Sequence, residues 1–167
     1  MSNVAIVVAL VAAQRLGELA LAMRNTRALL RAGGVEHGRA HYPLFILLHS
    51  SWLLALLVLV PGGTPILWPP LALFILLQLL RVWVIASLGR FWTTRIVSLP
   101  GAALVRRGPY RLLRHPNYLI VAGEVALLPL AFRAWAIAIV FSLLNLALLA
   151  WRIAVEERAL APRRAIG

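Results

Sequence analysis

Two short segments hold most of the side chains in this sequence that can do chemistry. The first is Gly108-Pro-Tyr-Arg-Leu-Leu-Arg-His-Pro-Asn-Tyr118 and the second is Arg152-Ile-Ala-Val-Glu-Glu157. Arg152 and Glu156 are four residues apart, so on a helix they share a face. Together the segments offer a guanidinium to hold an anionic oxygen, carboxylates to meet a cation, an imidazole and two phenols. Each residue alone has a plainer explanation, because Arg marks membrane-helix ends by topology and an i,i+4 Arg–Glu pair is ordinary. The combination is harder to assign to packing. His115 stands between Arg114 and Pro116 at a helix start, where surface packing asks for no imidazole. Glu156 and Glu157 are adjacent in a chain with only five acids.

The elements that must position these residues are set by composition. Of 167 residues, 62% are hydrophobic and 13% charged, against about half and about a quarter in a soluble domain. A bilayer is the natural solvent for such a chain. Apolar runs cover residues 2–23, 44–60, 66–88, 117–132 and 134–151, the last two on the short side for a crossing. The first has an uncharged start and no small-residue cleavage site, which reads as a retained helix rather than a signal peptide. The expectation is one domain, an all-α integral membrane bundle of about five transmembrane helices, with a C-terminal helix at 152–161. Arg is dense at 24–39, at 90–114 and from 152 onward, and absent between the second and third runs. That alternation places the N-terminus outside and the segment 89–116 on the cytoplasmic side, as expected of an inner-membrane protein. Within it, Phe91–Leu99 is β-branched and aromatic, Pro100-Gly101 is a turn signal, and residues 102–105 are expected to pair back as a small hairpin. Pro116 suits the first turn of the fourth helix.

Several chemistries are excluded. All 17 basic residues are Arg, all five acids are Glu, and Cys is absent, so there are no disulfides and no thiolate metal sites. Of four His only His37 and His41 have an i,i+4 spacing, and with no Asp a protein-built metal site is not expected. The net charge of +12 comes with no nucleic-acid-binding module, and anionic lipid headgroups explain it better. No G-x-G-x-x-G is present, which argues against a Rossmann-type nucleotide site.

The pattern L-V-R-R-G-P-Y-R-L-L-R-H-P-N-Y, Leu104 to Tyr118, followed by R-I-A-V-E-E, Arg152 to Glu157, resembles the isoprenylcysteine carboxyl methyltransferase family. Those are membrane enzymes that transfer a methyl group from S-adenosylmethionine to an oxygen on a lipophilic substrate. The resemblance covers roughly residues 89–160. It implies a cytoplasmic cofactor pocket in which Ala102, Ala103, Leu104, Val105, Tyr110, His115, Pro116, Asn117, Tyr118 and Glu156 contact S-adenosylmethionine, with Arg152 facing the substrate. Those residue types suit the ligand. Its sulfonium and ammonium call for a carboxylate such as Glu156, its own carboxylate for a helix start or a cation, and its adenine for apolar walls. Methyl transfer needs alignment and exclusion of water more than acid–base machinery. An acceptor already ionised near neutral pH would be held by Arg152 with no base required.

Ser87-Leu-Gly-Arg-Phe-Trp92 and R-H-P-N-Y are similar to short bacterial relatives that O-methylate alkylpyrones or alkylresorcinols beside type III polyketide synthases. A prenylcysteine carboxylate or a phospholipid amine is the alternative acceptor. A small transporter or structural subunit is the alternative of another class. Polar residues inside the helices are Gln14, Arg15, Glu18, His49, Gln78, Arg81, Glu124 and Asn145. Such groups face the bundle or a cavity. Glu18 with Arg81 reads as a structural pair. Glu124, about 9 Å along the fourth helix from Tyr118, is a candidate to line the acceptor pocket with Asn145.

Overall fold

The computed structural model describes residues 2–164, with the backbone alone at residue 41 and at 162–164. The side chains of His41, Arg163 and Arg164 therefore lie outside the described residues. Five helices account for most of the chain: α1 Asn3–Arg31, α2 Tyr42–Leu59, α3 Trp68–Leu88, α4 Pro116–Ala131 and α5 Trp135–Arg164. Four are long and apolar enough to cross a membrane, and α4 is a shorter apolar helix. At 1.5 Å per residue the 16 residues of α4 reach about 24 Å, a little less than the hydrocarbon core. The protein is an integral membrane protein of about five helices. Leu47, Val58, Leu79 and Leu143 are largely exposed, as lipid-facing side chains should be.

Local sequence explains the helix ends. The Ser2 hydroxyl accepts the Ala5 N–H at the start of α1. Proline stands in the first turn of α3 and of α4, where its missing N–H removes nothing. Gly89 closes α3 at φ 54°. Two helices outrun their apolar stretches. α1 continues past Met23 to Arg31, and residues 152–161 prolong α5 without a break. Hydropathy marks where the apolar run stops, whereas Arg, Ala, Leu and Glu keep the backbone helical beyond it.

The expected hairpin is corrected. Residues 96–98 do form a strand, β2 (Ile96–Ser98), but its antiparallel partner is β1, Val35–His37. Residues 102–105 carry no strand. Glu36 in β1 pairs with Arg95 at 3.1 Å, and both Ile96 and Val97 are buried. A three-residue strand has too little pattern of its own to name its partner; the cross-strand charge pair and the burial choose the distant one.

The helices pack in layers along the bundle axis. At the arginine-poor end Val4, Val8 and Val11 of α1 meet Trp52 and Leu56 of α2, Phe74 of α3 and Val125 and Leu128 of α4. Toward the other end a smaller cluster joins Ala22, Val84, Trp92 and Ile120. Between them lies a polar layer. Arg81 Nε donates to both oxygens of Glu18 at 2.8 Å, and its Nη1 reaches Glu124 at 3.1 Å. Arg15 bonds Glu18 at 3.0 Å and Glu124 at 2.7 Å. Gln78 donates to the remaining Glu124 oxygen, and Gln14 donates to Glu18 and to Gln78, each at 2.9 Å. Two guanidiniums and two carboxylates thus neutralise each other across α1, α3 and α4, the arrangement that makes intramembrane charge tolerable.

Arg81→Leu leaves three charges in the layer with a net negative charge and is expected to destabilise by about 3 kcal/mol. Adding Glu18→Leu leaves a neutral Arg15–Glu124 pair and should recover most of that loss. Thermal unfolding in detergent measures both; a double variant no more stable than Arg81→Leu would contradict charge balance as the cause.

Candidate active site at the arginine-rich end

Beyond the smaller apolar cluster the bundle opens into a cavity of about 350 Å³, within the range of small-molecule sites. Its wall comes from three places: residues 88–97, the stretch from Leu104 to Tyr118, and the last turns of α5 with Arg152, Glu156 and Leu160. A 3-10 turn at Gly108–Arg111 swings Tyr110 into the wall. Only glycine serves at 108. Its φ is 56°, and a Cβ there would stand 2.1 Å from Ser87 Oγ.

Tyr118, in the first turn of α4, is the centre of the site. Its hydroxyl accepts from Arg152 Nε at 2.8 Å and donates to the Glu156 carboxylate. Arg152 also donates through Nη2 to the Thr94 carbonyl at 2.9 Å, and its guanidinium lies over the rings of Phe45 and Tyr118. It is 8% exposed, and among the described residues no carboxylate comes within ion-pair distance of it. Glu156 likewise forms no ion pair among them. A buried cation and a carboxylate thus face one cavity, held apart by a shared phenol. His115 stacks on Tyr118 with ring centres 5.3 Å apart, and its Nε2 lies 2.7 Å from Glu157. Burial, and then the charge of Glu156, hold the Tyr110 phenol above its usual value, so it stays a neutral wall.

Of the residues singled out from the sequence, Leu104, Val105, Tyr110, His115, Asn117, Tyr118, Arg152 and Glu156 line this cavity. Ala102, Ala103 and Pro116 do not. Glu124 sits in the polar layer, 2% exposed, and Asn145 is fully enclosed with neither amide atom hydrogen-bonded among the described residues. Neither lines the cavity. Trp92, Arg95, Ile96, Val97 and Leu160 line it and were not singled out as site residues. For residues 92–97 the signal in sequence was the β-branched, aromatic character of 91–99, which read as a strand, and the Ser87–Trp92 motif that ends at Trp92; Leu160 carried none. Two wall residues carry orphaned buried polar atoms, the Trp92 indole N–H and the Asn117 carbonyl oxygen. One donor and one acceptor therefore stand ready for a polar ligand.

The family model of the isoprenylcysteine carboxyl methyltransferase (ICMT) family matches residues 70–162, which include every cavity residue named here. YpbQ, an uncharacterized protein of Bacillus subtilis (strain 168), is 36% identical over 159 residues, covering 93% of this chain and 95% of the relative. An uncharacterized protein of Haemophilus influenzae is 27% identical over 160 residues, covering 92% of each. No solved structure matches the chain. With a five-helix membrane bundle, a polar cavity at its arginine-rich end and a family match over more than half its length, this chain belongs to the isoprenylcysteine carboxyl methyltransferase family of membrane methyltransferases.

Proposed function

We propose that this protein is an S-adenosylmethionine-dependent O-methyltransferase whose acceptor is a lipophilic anion, bound where the cavity meets the bilayer. The observation that carries this reading is Arg152, a buried guanidinium in direct ion-pair contact with no carboxylate among the described residues and linked to Glu156 only through the Tyr118 hydroxyl, opening on the cavity that both line. A buried unpaired cation is costly, and an anionic ligand oxygen offsets that cost. The same feature disfavours a phospholipid amine as acceptor, because ammonium and guanidinium repel.

The residues present fit the cofactor used in this family. Glu156 meets its cationic end, Trp92 N–H and Asn117 Oδ1 supply the missing donor and acceptor, and Leu104, Val105 and Leu160 give apolar contact for an adenine. Ala102, Ala103 and Pro116 lie off the cavity beside lining residues and act on the cofactor only through them. When bound, S-adenosylmethionine supplies an electrophilic methyl group. The chain's own part is placement: Tyr118 and the Thr94 carbonyl orient Arg152, which holds the acceptor oxygen, while Phe45 and Trp92 exclude water. His115, fastened by Glu157, braces the Tyr118 ring. Asn145, fully enclosed, and Glu124, in the polar layer, lie off the cavity and act on the acceptor only through the packing of the bundle. The acceptor class we favour is an acidic enol or phenol, an alkylpyrone or alkylresorcinol, over a prenylcysteine carboxylate. The Arg distribution supports a cytoplasmic cofactor site and an external N-terminus in a bacterial inner membrane. A transporter is disfavoured because the intramembrane charges close on one another rather than line a path.

Calorimetry of S-adenosylmethionine binding to the purified protein tests the cofactor reading without knowledge of the acceptor. Wild type should bind saturably, with Glu156→Ala and His115→Ala weakening binding about tenfold or more; folded wild type that binds none would sink the reading. Arg152→Lys should leave cofactor affinity within about threefold and lower kcat/KM for an alkylresorcinol by at least about tenfold, because a lysine cannot keep the Tyr118 and Thr94 bonds together. Equal turnover by the two would remove Arg152 from the acceptor site. The raised phenol of Tyr110 makes its contribution complete below its ordinary value near 10 and lost only as pH rises beyond it. Cofactor affinity between about pH 7 and 9 should therefore follow the same profile in wild type and Tyr110→Phe, and a step present in wild type alone would contradict it.

A further inference from the structure

On the same face of the bundle a second cavity, about 450 Å³, is lined by Arg90, Arg106 and Arg107 over a floor of Leu88, Phe91 and Val105. None of the three arginines forms an ion pair among the described residues. Two of them are held in place rather than waving in solvent. Arg107 Nε donates to the Ser87 carbonyl at 2.7 Å, and the Arg90 guanidinium lies 5.0 Å above the Phe91 ring. The dipole at the end of α3 accounts for one cation near Ser87 and leaves two unexplained.

The groove lies at the level where a membrane span ends. Leu88 is the last residue of α3, and Leu79, Val82 and Trp83 on that helix are 64%, 61% and 49% exposed. Their spacing puts them together on the lipid-facing side of α3, whereas Leu88 turns about half a turn away from Leu79 toward the bundle, so the apolar floor of the groove is Leu88, Phe91 and Val105. A cluster of guanidiniums at the level where a span ends, over an apolar floor, matches an amphiphile with an anionic head. Guanidinium forks suit phosphate oxygens in particular.

We propose that this groove is a binding site for one anionic membrane phospholipid. Its phosphodiester is held by Arg90, Arg106 and Arg107, and the upper part of its acyl chains lies over Leu88, Phe91 and Val105. Leu88, Phe91, Val105 and Arg106 also line the first cavity, so a bound lipid braces a wall that the two cavities share. The proposal stands on the groove alone and holds whatever reaction the first cavity performs.

Native mass spectrometry of the detergent-purified protein, with phosphatidylglycerol and phosphatidylcholine added in turn, tests it. Wild type should retain one phosphatidylglycerol about tenfold more tightly than phosphatidylcholine. Arg90→Gln should lose about fivefold of that preference and Arg90→Gln/Arg107→Gln all of it. The Arg90 side chain makes no hydrogen bond among the described residues, so its single variant keeps the test valid if the double variant folds poorly. Arg24→Gln/Arg27→Gln removes the same charge from an exposed part of α1 and should keep the preference. Wild type without a preference, or an Arg24→Gln/Arg27→Gln variant that loses as much as the groove variant, would overturn the proposal. So would displacement of the lipid by inorganic phosphate at equal concentration, which would show that the groove reads the anion alone.

Discussion

Four charges lie inside this bundle and must neutralise one another. Hydrocarbon offers no solvation to a guanidinium or a carboxylate, so Arg15, Glu18, Arg81 and Glu124 are tolerable only in mutual contact. That requirement does what the hydrophobic effect cannot do between helices already surrounded by lipid. It sets the depth and rotation of α1, α3 and α4 against each other, because the Arg15–Glu124 and Arg81–Glu18 bonds form only in one relative placement.

The consequences reach the cavity directly. Arg81 lies 5.8 Å from the centre of the Trp92 ring, so the polar layer supports a cavity wall from beneath. From α1, the Asn25 amide donates to the Gly89 carbonyl at 3.0 Å and to the Trp92 carbonyl at 2.9 Å, clamping the chain where it leaves α3. The first helix contributes no residue to the cavity lining, yet it holds the segment that does. The site itself uses few parts. A single phenol, Tyr118, stands between a cation and a carboxylate that make no direct ion pair among the described residues, and such separation lets one cavity attract ligands of both signs.

Much of this was legible in the sequence because it rests on local rules. Apolar runs of bilayer length announce membrane helices, Pro116 announces a helix start, and Arg152 with Glu156 at i,i+4 share a face on any helix. The two motif segments therefore pointed to the same end of the bundle before any coordinates. What was misread involved partners chosen at long range. Strand 96–98 pairs with 35–37 rather than with 102–105 because Glu36 meets Arg95, a contact across some sixty residues of chain that no local pattern encodes.

The sequence by itself thus determined that the chain lives in a membrane, where its helices lie, and which polar residues gather at one end, because hydropathy and helical periodicity are properties of neighbouring residues. Only the tertiary structure decided that Tyr118 stands between Arg152 and Glu156, that Trp92, Ile96 and Val97 wall the cavity, and that Glu124 and Asn145 do not. Those outcomes depend on how five helices rotate and slide against one another, and that is settled by pairing buried charges and filling space between segments far apart in the chain.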